Sequence, residues 1–514
     1  MDRLSKLLYG ACGLALASCG GGDGSLPPEA GFHSVVQSGP QDIGEYRSIV
    51  AAGHVPAPSV LDENGFFAEH EIDLPAADCG LSICVHPMLA VAPRFDGGNW
   101  TMAFVGMNTA VDASTLPTKP RHIVAVVAGG ALASVQYVLT TTLTGEDRLS
   151  LISDGGRVTP LEGLPPRQLT LERAIQGDST SPLSLYSALA DALAVVQRPG
   201  FEEYEGRVLL FPSGFSQSGL DAPEYLADLA LEFARHETPI SVFRSASAGS
   251  SGAGATAPPE PASPSSLAAL ADITTGNSYS VGGKGNDLSQ ALKLELQTSF
   301  APLARNLQLT LTAALGYRIG RVYGAPNVRV AGQSAVLSSP ASYVGARSAA
   351  SDTQLGRRGG GGGWFVELLA DGSATGTIHS PADALQLDLQ YDDALSGERV
   401  RSTQQLQTPL GVGQNPPPQQ PYFSDAAHGK PFMMLNLYLA LSTMTQLANQ
   451  NECGSARGIG PMMQDAWQMF SQMFPDPDIS ADFGLLEQLT RNIEQTCREP
   501  IPKVIDVPFS CGFM

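Results

Sequence analysis

Short apolar runs alternate with segments of helical period through the middle of the chain. Residues 122–127 form a continuous apolar run of strand length, as a strand buried on both faces would. Runs at 148–152, 207–211 and 239–243 have the same character, and 278–281 reads as extended. Between them, 133–143, 182–197, 223–236 and 266–273 carry helical spacing; in the third, Leu226, Leu229, Leu231 and Phe233 supply the apolar positions. Strands alternating with helices predict a parallel α/β sheet covered on both faces over residues 118–285. Residues 245–266, rich in Ala, Ser, Gly and Pro, interrupt it as a surface loop.

The period changes after residue 300. Leu307-Gln308-Leu309-Thr310-Leu311 alternates with a period of two, which marks a strand with one buried face. Residues 364–369 and 385–391 look alike, so 300–413 is expected to be a β-rich, sandwich-like domain. The Pro-rich stretch 414–421 is a stiff linker. Beyond it, 431–450 and 461–497 are Met- and Leu-rich with helical spacing, within a helical C-terminal region at 428–514. The Met residues there (Met433, Met434, Met444, Met462, Met463, Met469, Met473) suit a core, or else an adaptable binding surface. Residues 46–117 are set apart as a mixed N-terminal region.

With 514 residues the chain should hold two to four domains. Its net charge of -20 comes without a basic cluster, which excludes nucleic acid as a partner. The N-terminus narrows the setting. Arg3 and Lys6 precede an apolar run from Leu7 to Ala17, too short for a permanent membrane span and shaped like a secretory signal. Its ending, Leu16-Ala17-Ser18-Cys19, resembles the bacterial lipobox, in which the Cys is lipidated and becomes the mature N-terminus. The expectation is therefore a signal peptide at 1–18, lipid on Cys19, and a flexible Gly-rich tether at 19–45; an ordinary cleaved signal is the alternative. Gly20 in the second mature position resembles the outer-membrane form of the sorting signal, so membrane contact is expected through this lipid.

Of seven Cys, Cys12 leaves with the signal and Cys19 takes the lipid, leaving Cys79, Cys84, Cys453, Cys497 and Cys511. The envelope is oxidising, so disulfides are expected. Cys79 and Cys84 could close a small loop; Cys453 and Cys497 are the expected second pair, with Cys497–Cys511 as the rival. No His stands at zinc-like spacing from either group.

Several segments together resemble the von Willebrand factor type A domain. They are the strand at 122–127, Asp147-Arg148-Leu149-Ser150-Leu151-Ile152, Ser184-Leu185-Tyr186-Ser187-Ala188-Leu189, Gly206-Arg207-Val208-Leu209-Leu210-Phe211, and the stretch from Leu267 to Tyr279. Gly316-Tyr317-Arg318-Ile319-Gly320 resembles a strand of the β-rich region that follows this domain in bacterial envelope proteins. The resemblance spans roughly 60–400. It implies a Rossmann-like parallel sheet followed by a β-sandwich-like domain; with the C-terminal helical segment read from the spacing, the chain is expected to be multidomain α/β plus β. It also implies a metal-ion-dependent adhesion site at one end of the sheet, built from Asp-x-Ser-x-Ser, a distant Thr and a distant Asp, an oxygen set suited to Mg²⁺. Here Ala128 falls where the first Asp belongs, and Gly130 and Leu132 where the serines belong. Leu183, or Thr180 with a longer loop, takes the Thr position, and Ser213 that of the second Asp. These residues offer at most two neutral hydroxyls, so no metal and no cofactor is expected.

Gly214-Phe215-Ser216-Gln217-Ser218 follows a buried strand and approaches a Gly-x-Ser-x-Gly nucleophile elbow. A hydrolase would also need a histidine, and only His236, His379 and His428 come later in the chain. Residues 359–363 are all Gly and run into a strand without a Lys-Ser/Thr, which does not suit phosphate binding. The reading that results is a non-enzymatic, envelope-anchored protein-binding, adhesion or scaffold module without a metal site. The alternatives are a serine hydrolase using Ser216 and a metal-dependent adhesin rebuilt on Asp154 or Asp178.

Overall fold

The computed structural model describes residues 33–37, 39–40, 43–128, 132–153, 161–164, 183–245, 262–281, 288–298, 301–325, 328–345, 362–372, 382–416 and 420–496. Cys19, Gly130, Asp154, Asp178, Thr180, His379, Cys497 and Cys511 lie outside them.

The parallel sheet is centred on β5 (Arg121–Val127) and β8 (Glu205–Phe211). Around them stand β6 (Arg148–Ser153), β7 (Leu161–Leu164), β9 (Ile240–Ser245), β10 (Asn277–Val281) and the two-residue β2 (Gly39–Pro40), in the order β2-β10-β9-β8-β5-β6-β7. The pairs are parallel except that β7 runs antiparallel at its edge. Continuous apolar strands are what two covered faces require. On one face Val124, Val126, Val208 and Leu210 meet Leu189, Leu226, Phe233 and Leu270 from the helices Leu185–Val196 (α4), Pro223–Arg235 (α5) and Pro264–Thr274 (α6). On the other, Ile123, Ala125 and Leu209 meet Val135, Leu139 and Leu292 from Leu132–Thr142 (α3) and Leu288–Thr298 (α7).

Residues 46–117 contribute to the other two layers. Their strands β3 (Cys84–Pro93) and β4 (Asn99–Thr109) pair antiparallel and join β15 (Gly363–Ala370) and β12 (Tyr317–Tyr323). This sheet faces a second one of β11 (Ala304–Ala313), β13 (Val328–Ala331), β14 (Ser334–Val344), β16 (Ala382–Asp393) and β17 (Arg399–Thr408). The short β1 (His33–Gln37) pairs with β4 and β14 and so links the two. Strand β4 is covered on both sides. Ala103, Val105 and Met107 enter the sandwich core, while Trp100, Met102 and Phe104 point into a helical layer.

That layer holds α8 (Gly429–Asn449), α9 (Cys453–Met473) and α10 (Pro477–Thr496). The second helical stretch, read from the sequence as 461–497, is two helices parted at 474–476, and Pro461 lies inside α9. Met433, Met434, Met444 and Met463 are core. The short helices Gly44–Ala51 (α1) and Glu63–Ala68 (α2) dock here as well. A buried ion cluster fixes them: Arg47 lies 2.5 Å from both Glu69 and Asp482, and His70 Nε2 lies 2.6 Å from Asp482. Each carboxylate has Arg47 as a charged partner, and Asp482 a further hydrogen-bond partner in His70, which is the condition for leaving charges in such a place.

A second buried network joins the parallel domain to the sandwich. Arg207 on β8 donates to Glu295 on α7 (2.6 Å), to Ser241 (3.0 Å) and to the Tyr343 hydroxyl on β14 (3.0 Å). Asn277 and Tyr279 complete the Glu295 carboxylate at 2.8 and 2.7 Å. Burial pushes Glu295 toward its neutral form, but the Arg207 charge and these donors outweigh it and hold its pKa below the ordinary carboxylate value. Cys79 and Cys84 form a disulfide. Cys453 is also disulfide-bonded. Among the described residues no helix is long and apolar enough to cross a membrane.

Candidate functional site

The C-terminal ends of parallel strands form the rim where open α/β sheets receive ligands. Strand β5 delivers Ala128 to this rim, and Ala128 is only 1% exposed. Strand β8 ends in Phe211-Pro212-Ser213-Gly214-Phe215. Gly214 adopts φ +104°, and a Cβ there would come within 2.8 Å of the Ala128 Cβ. The loop backbone thus closes directly over Ala128, in a conformation and at a distance that a larger residue would not permit. Phe215, also buried, belongs with Ala128 and Leu185 to one apolar cluster. The Ser213 hydroxyl donates to the Ser245 hydroxyl at 3.2 Å. Leu132 opens α3, and Leu183 is a half-buried apolar residue against the same cluster.

Beside this closed spot lies the N-terminus of α4. Ser184 caps it, accepting from the Ser187 amide at 3.2 Å. The Ser216 amide donates to Leu183 O at 3.1 Å, so the loop after β8 runs alongside the cap. Asp221, 5% exposed, accepts from the Tyr186 amide through Oδ1 (2.8 Å) and from the Ser218 amide through Oδ2 (2.6 Å). A helix N-terminus favours a negative charge and has spare amides. Here the chain's own carboxylate meets both needs. Asp221 went unnoticed in the sequence, although Ser218-x-x-Asp221 directly before Pro223 is a capping signature. Leu220 in this loop and Tyr225 in the first turn of α5 are each 45% exposed.

The rim therefore brings together Ala128, Ser213, Ser216 and the start of α4, while Gly130, Thr180, Asp154 and Asp178 are not described. Among the described residues no three His, Cys, Asp or Glu side chains are grouped as metal ligands. Ser216 and His236 stand at opposite ends of the sheet. His236 follows α5, and its Nε2 is 2.9 Å from Gln197 Nε2. His428 is fully buried in the helical layer, where burial lowers its pKa to about 3. Neither described histidine is placed as a base for Ser216.

No family model matches the sequence, and no curated protein does. Solved structures similar in fold include a von Willebrand factor type A protein from Catenulispora acidiphila, with 13% identity over 80% of this chain and 96% of that one and a TM-score of 0.43. Another is the ArnB paralog VWA2 from Sulfolobus acidocaldarius, with 12% identity over 81% and 98% and a TM-score of 0.41. The sheet itself has β5 and β8 at its centre, one antiparallel edge at β7 and helices on both faces. It is an open, mostly parallel α/β sheet with both faces covered. The residues singled out from the sequence resemblance fall just after β5 (Ala128), just after β8 (Ser213) and just before α4 (Leu183).

Proposed function

We propose that this chain is a non-enzymatic protein-binding module, held at the bacterial envelope by lipid on Cys19, whose von Willebrand factor A-like domain engages its partner without a metal ion. The observation that carries this reading is the packing at the rim. Where a coordinating carboxylate would project, Ala128 is buried against Gly214 and Phe215. The carboxylate that is near, Asp221, is committed to two backbone amides. A hard cation exchanges its water for several oxygen ligands, preferably charged ones. The rim residues described offer neutral hydroxyls and apolar surface. Leu220 and Tyr225 are exposed apolar residues there, and Tyr is a residue type that commonly anchors protein contacts. The lipobox-like Leu16-Ala17-Ser18-Cys19 and the Gly-rich tether support anchoring, with Gly20 favouring the outer membrane.

The test is a photo-crosslinking residue placed at Tyr225 in the full-length chain in cells. Adducts with a protein partner should form equally with and without EDTA, and Leu220→Ser should reduce them. Adducts that vanish with EDTA would return the reading to metal-dependent adhesion. Labelling of Ser216 by a serine-directed fluorophosphonate would instead support hydrolysis.

A further inference from the structure

Cys453 opens α9, is 5% exposed and is disulfide-bonded. Cys79 and Cys84 are bonded to each other, so the partner of Cys453 is one of Cys12, Cys19, Cys497 and Cys511. A bond between Cys497 and Cys511 would leave Cys453 only Cys12 or Cys19. The packing of α9 against α10 decides among them.

The two helices are joined by residues 474–476 and pack side by side, so they run antiparallel. Two contacts fix their register. Trp467 stacks on Phe483 with ring centroids 5.1 Å apart. Gly460 faces Thr490 so closely that a Cβ there would come within 3.0 Å of the Thr490 Oγ1. Gly460 stands seven residues before Trp467, and Thr490 seven residues after Phe483. Seven residues are about two helical turns, so each such step returns to the same face of both helices. One more step of seven leads back to Cys453 and forward to Cys497, one residue past the end of α10 at Thr496. A disulfide needs Cα atoms roughly 4.4–6.8 Å apart, and the close approach at Gly460 draws the helices together on this face. Cys511 lies fourteen residues beyond this position.

We propose that Cys453 is bonded to Cys497, that this bond staples the open end of the α9–α10 pair, and that Cys511 stays outside both disulfides. The staple bears on contacts that hold another element. Asn492, five residues before Cys497, donates to Val50 O at 2.7 Å and to His54 O at 2.9 Å, and Asp482 on the same helix holds Arg47. Fastening α10 therefore fastens α1. Closing the bond removes two protons and two electrons from the Cys453 and Cys497 thiols, and a small disulfide such as oxidised glutathione accepts them as two thiols. The helical layer thus reaches its full stability only where such an oxidant is supplied, as in a cell envelope and not in a reducing cytoplasm. The pairing itself follows from the helix register and does not rest on the envelope location.

The test is peptide mapping of the full-length chain, equilibrated with oxidised and reduced glutathione, alkylated, and digested with trypsin without reduction. Cleavage after Arg491, Arg498 and Lys503 puts Cys497 on residues 492–498 and Cys511 on 504–514, so mass spectrometry separates the two partners. The peptide carrying Cys453 should be joined to 492–498, and should remain so in Cys511→Ser. A link from Cys453 to 504–514, or an alkylated Cys453, overturns the proposal. The oxidant is supplied in the tube, so a bond that forms there but is missing from protein taken from cells supports the pairing and counts against the envelope location. In a Cys511→Ser background, Cys497→Ser should speed amide exchange over the last two turns of α10 on the order of tenfold or more, because nothing then restrains opening of that end. Unchanged exchange overturns the role of the bond as a staple.

Discussion

Replacing Asp221 by Ala should loosen the rim while leaving the sheet intact. The side chain is buried and accepts two amide hydrogen bonds, Tyr186 N at 2.8 Å and Ser218 N at 2.6 Å. Hydrogen bonds to a charged group contribute roughly 1.5–3 kcal/mol each. Ser218 is exposed, so its amide regains water when the carboxylate goes. The Tyr186 amide, at the first turn of α4, does so less fully. A local loss of about 3 kcal/mol follows, above the roughly 0.5–2 kcal/mol of an ordinary helix cap, because the acceptor is a buried carboxylate that takes two amides. Hydrogen exchange reads this locally: since about 1.4 kcal/mol is a factor of ten, the Tyr186 amide and its neighbours should exchange on the order of a hundredfold faster. Asp221→Asn keeps an acceptor and loses the charge, so it should fall between. Unchanged exchange across 185–190 in Asp221→Ala, with a denaturation midpoint equal to wild type, would refute the argument that this carboxylate organises the rim.

Cys19→Ser should abolish acylation and normal processing; mass spectrometry of the wild-type N-terminus should find the acyl mass on Cys19, and a mature end elsewhere without acyl mass would contradict the anchor. Arg207→Ala should destabilise the chain by about 3–5 kcal/mol in chemical denaturation, because it strands Glu295 without its charge partner at 1% and 0% side-chain exposure; a loss under 1 kcal/mol would refute the junction's importance. Burial lowers the His122 pKa to about 4, so the unfolded chain takes up this proton first as pH falls. Stability from neutral His122 is complete above pH ~6.5 and is lost progressively toward pH 4, by up to about 3 kcal/mol. Glu63, raised to about 7 chiefly by burial, acts in the opposite direction between pH 7 and 4.5. The measurement is therefore the difference in pH dependence between wild type and His122→Gln, which should show the shallower acid loss; equal slopes would contradict the assignment.

The parallel domain was legible because its strands are covered on both faces and punctuated by clear helix starts. The runs at 148–152, 207–211 and 239–243 correspond to β6, β8 and β9 within a few residues. In β11, alternation at 307–311 was equally plain, since one face meets solvent. Strand β4 defeated the same reasoning: packed between sandwich and helices, it shows no alternation, and its partners β15 and β1 are remote in sequence. Strand β17 failed for the opposite reason, as an edge strand of Arg, Thr and Gln with little buried surface. No local pattern announces the Arg47–Asp482 ion pair, whose members are 435 residues apart. At the rim, Ala128 and Ser213 were identifiable by position in the strands, but their packing around Gly214 follows from how the loop after β8 folds back.

Metal independence is the claim on which the functional reading turns, and a thermal melt of the soluble mature chain with Mg²⁺, Mn²⁺ or EDTA tests it most directly. A millimolar ion on a micromolar site that exists only in the folded state would stabilise it by roughly 4 kcal/mol. The account predicts superimposable melts under all three conditions, and Ala128→Asp, which forces a carboxylate into the space against Gly214, should melt lower without acquiring a response to Mg²⁺. A reproducible, saturable rise in Tm with Mg²⁺, abolished by Ser213→Ala or Asp178→Ala, would contradict it and make the rim a rebuilt metal site.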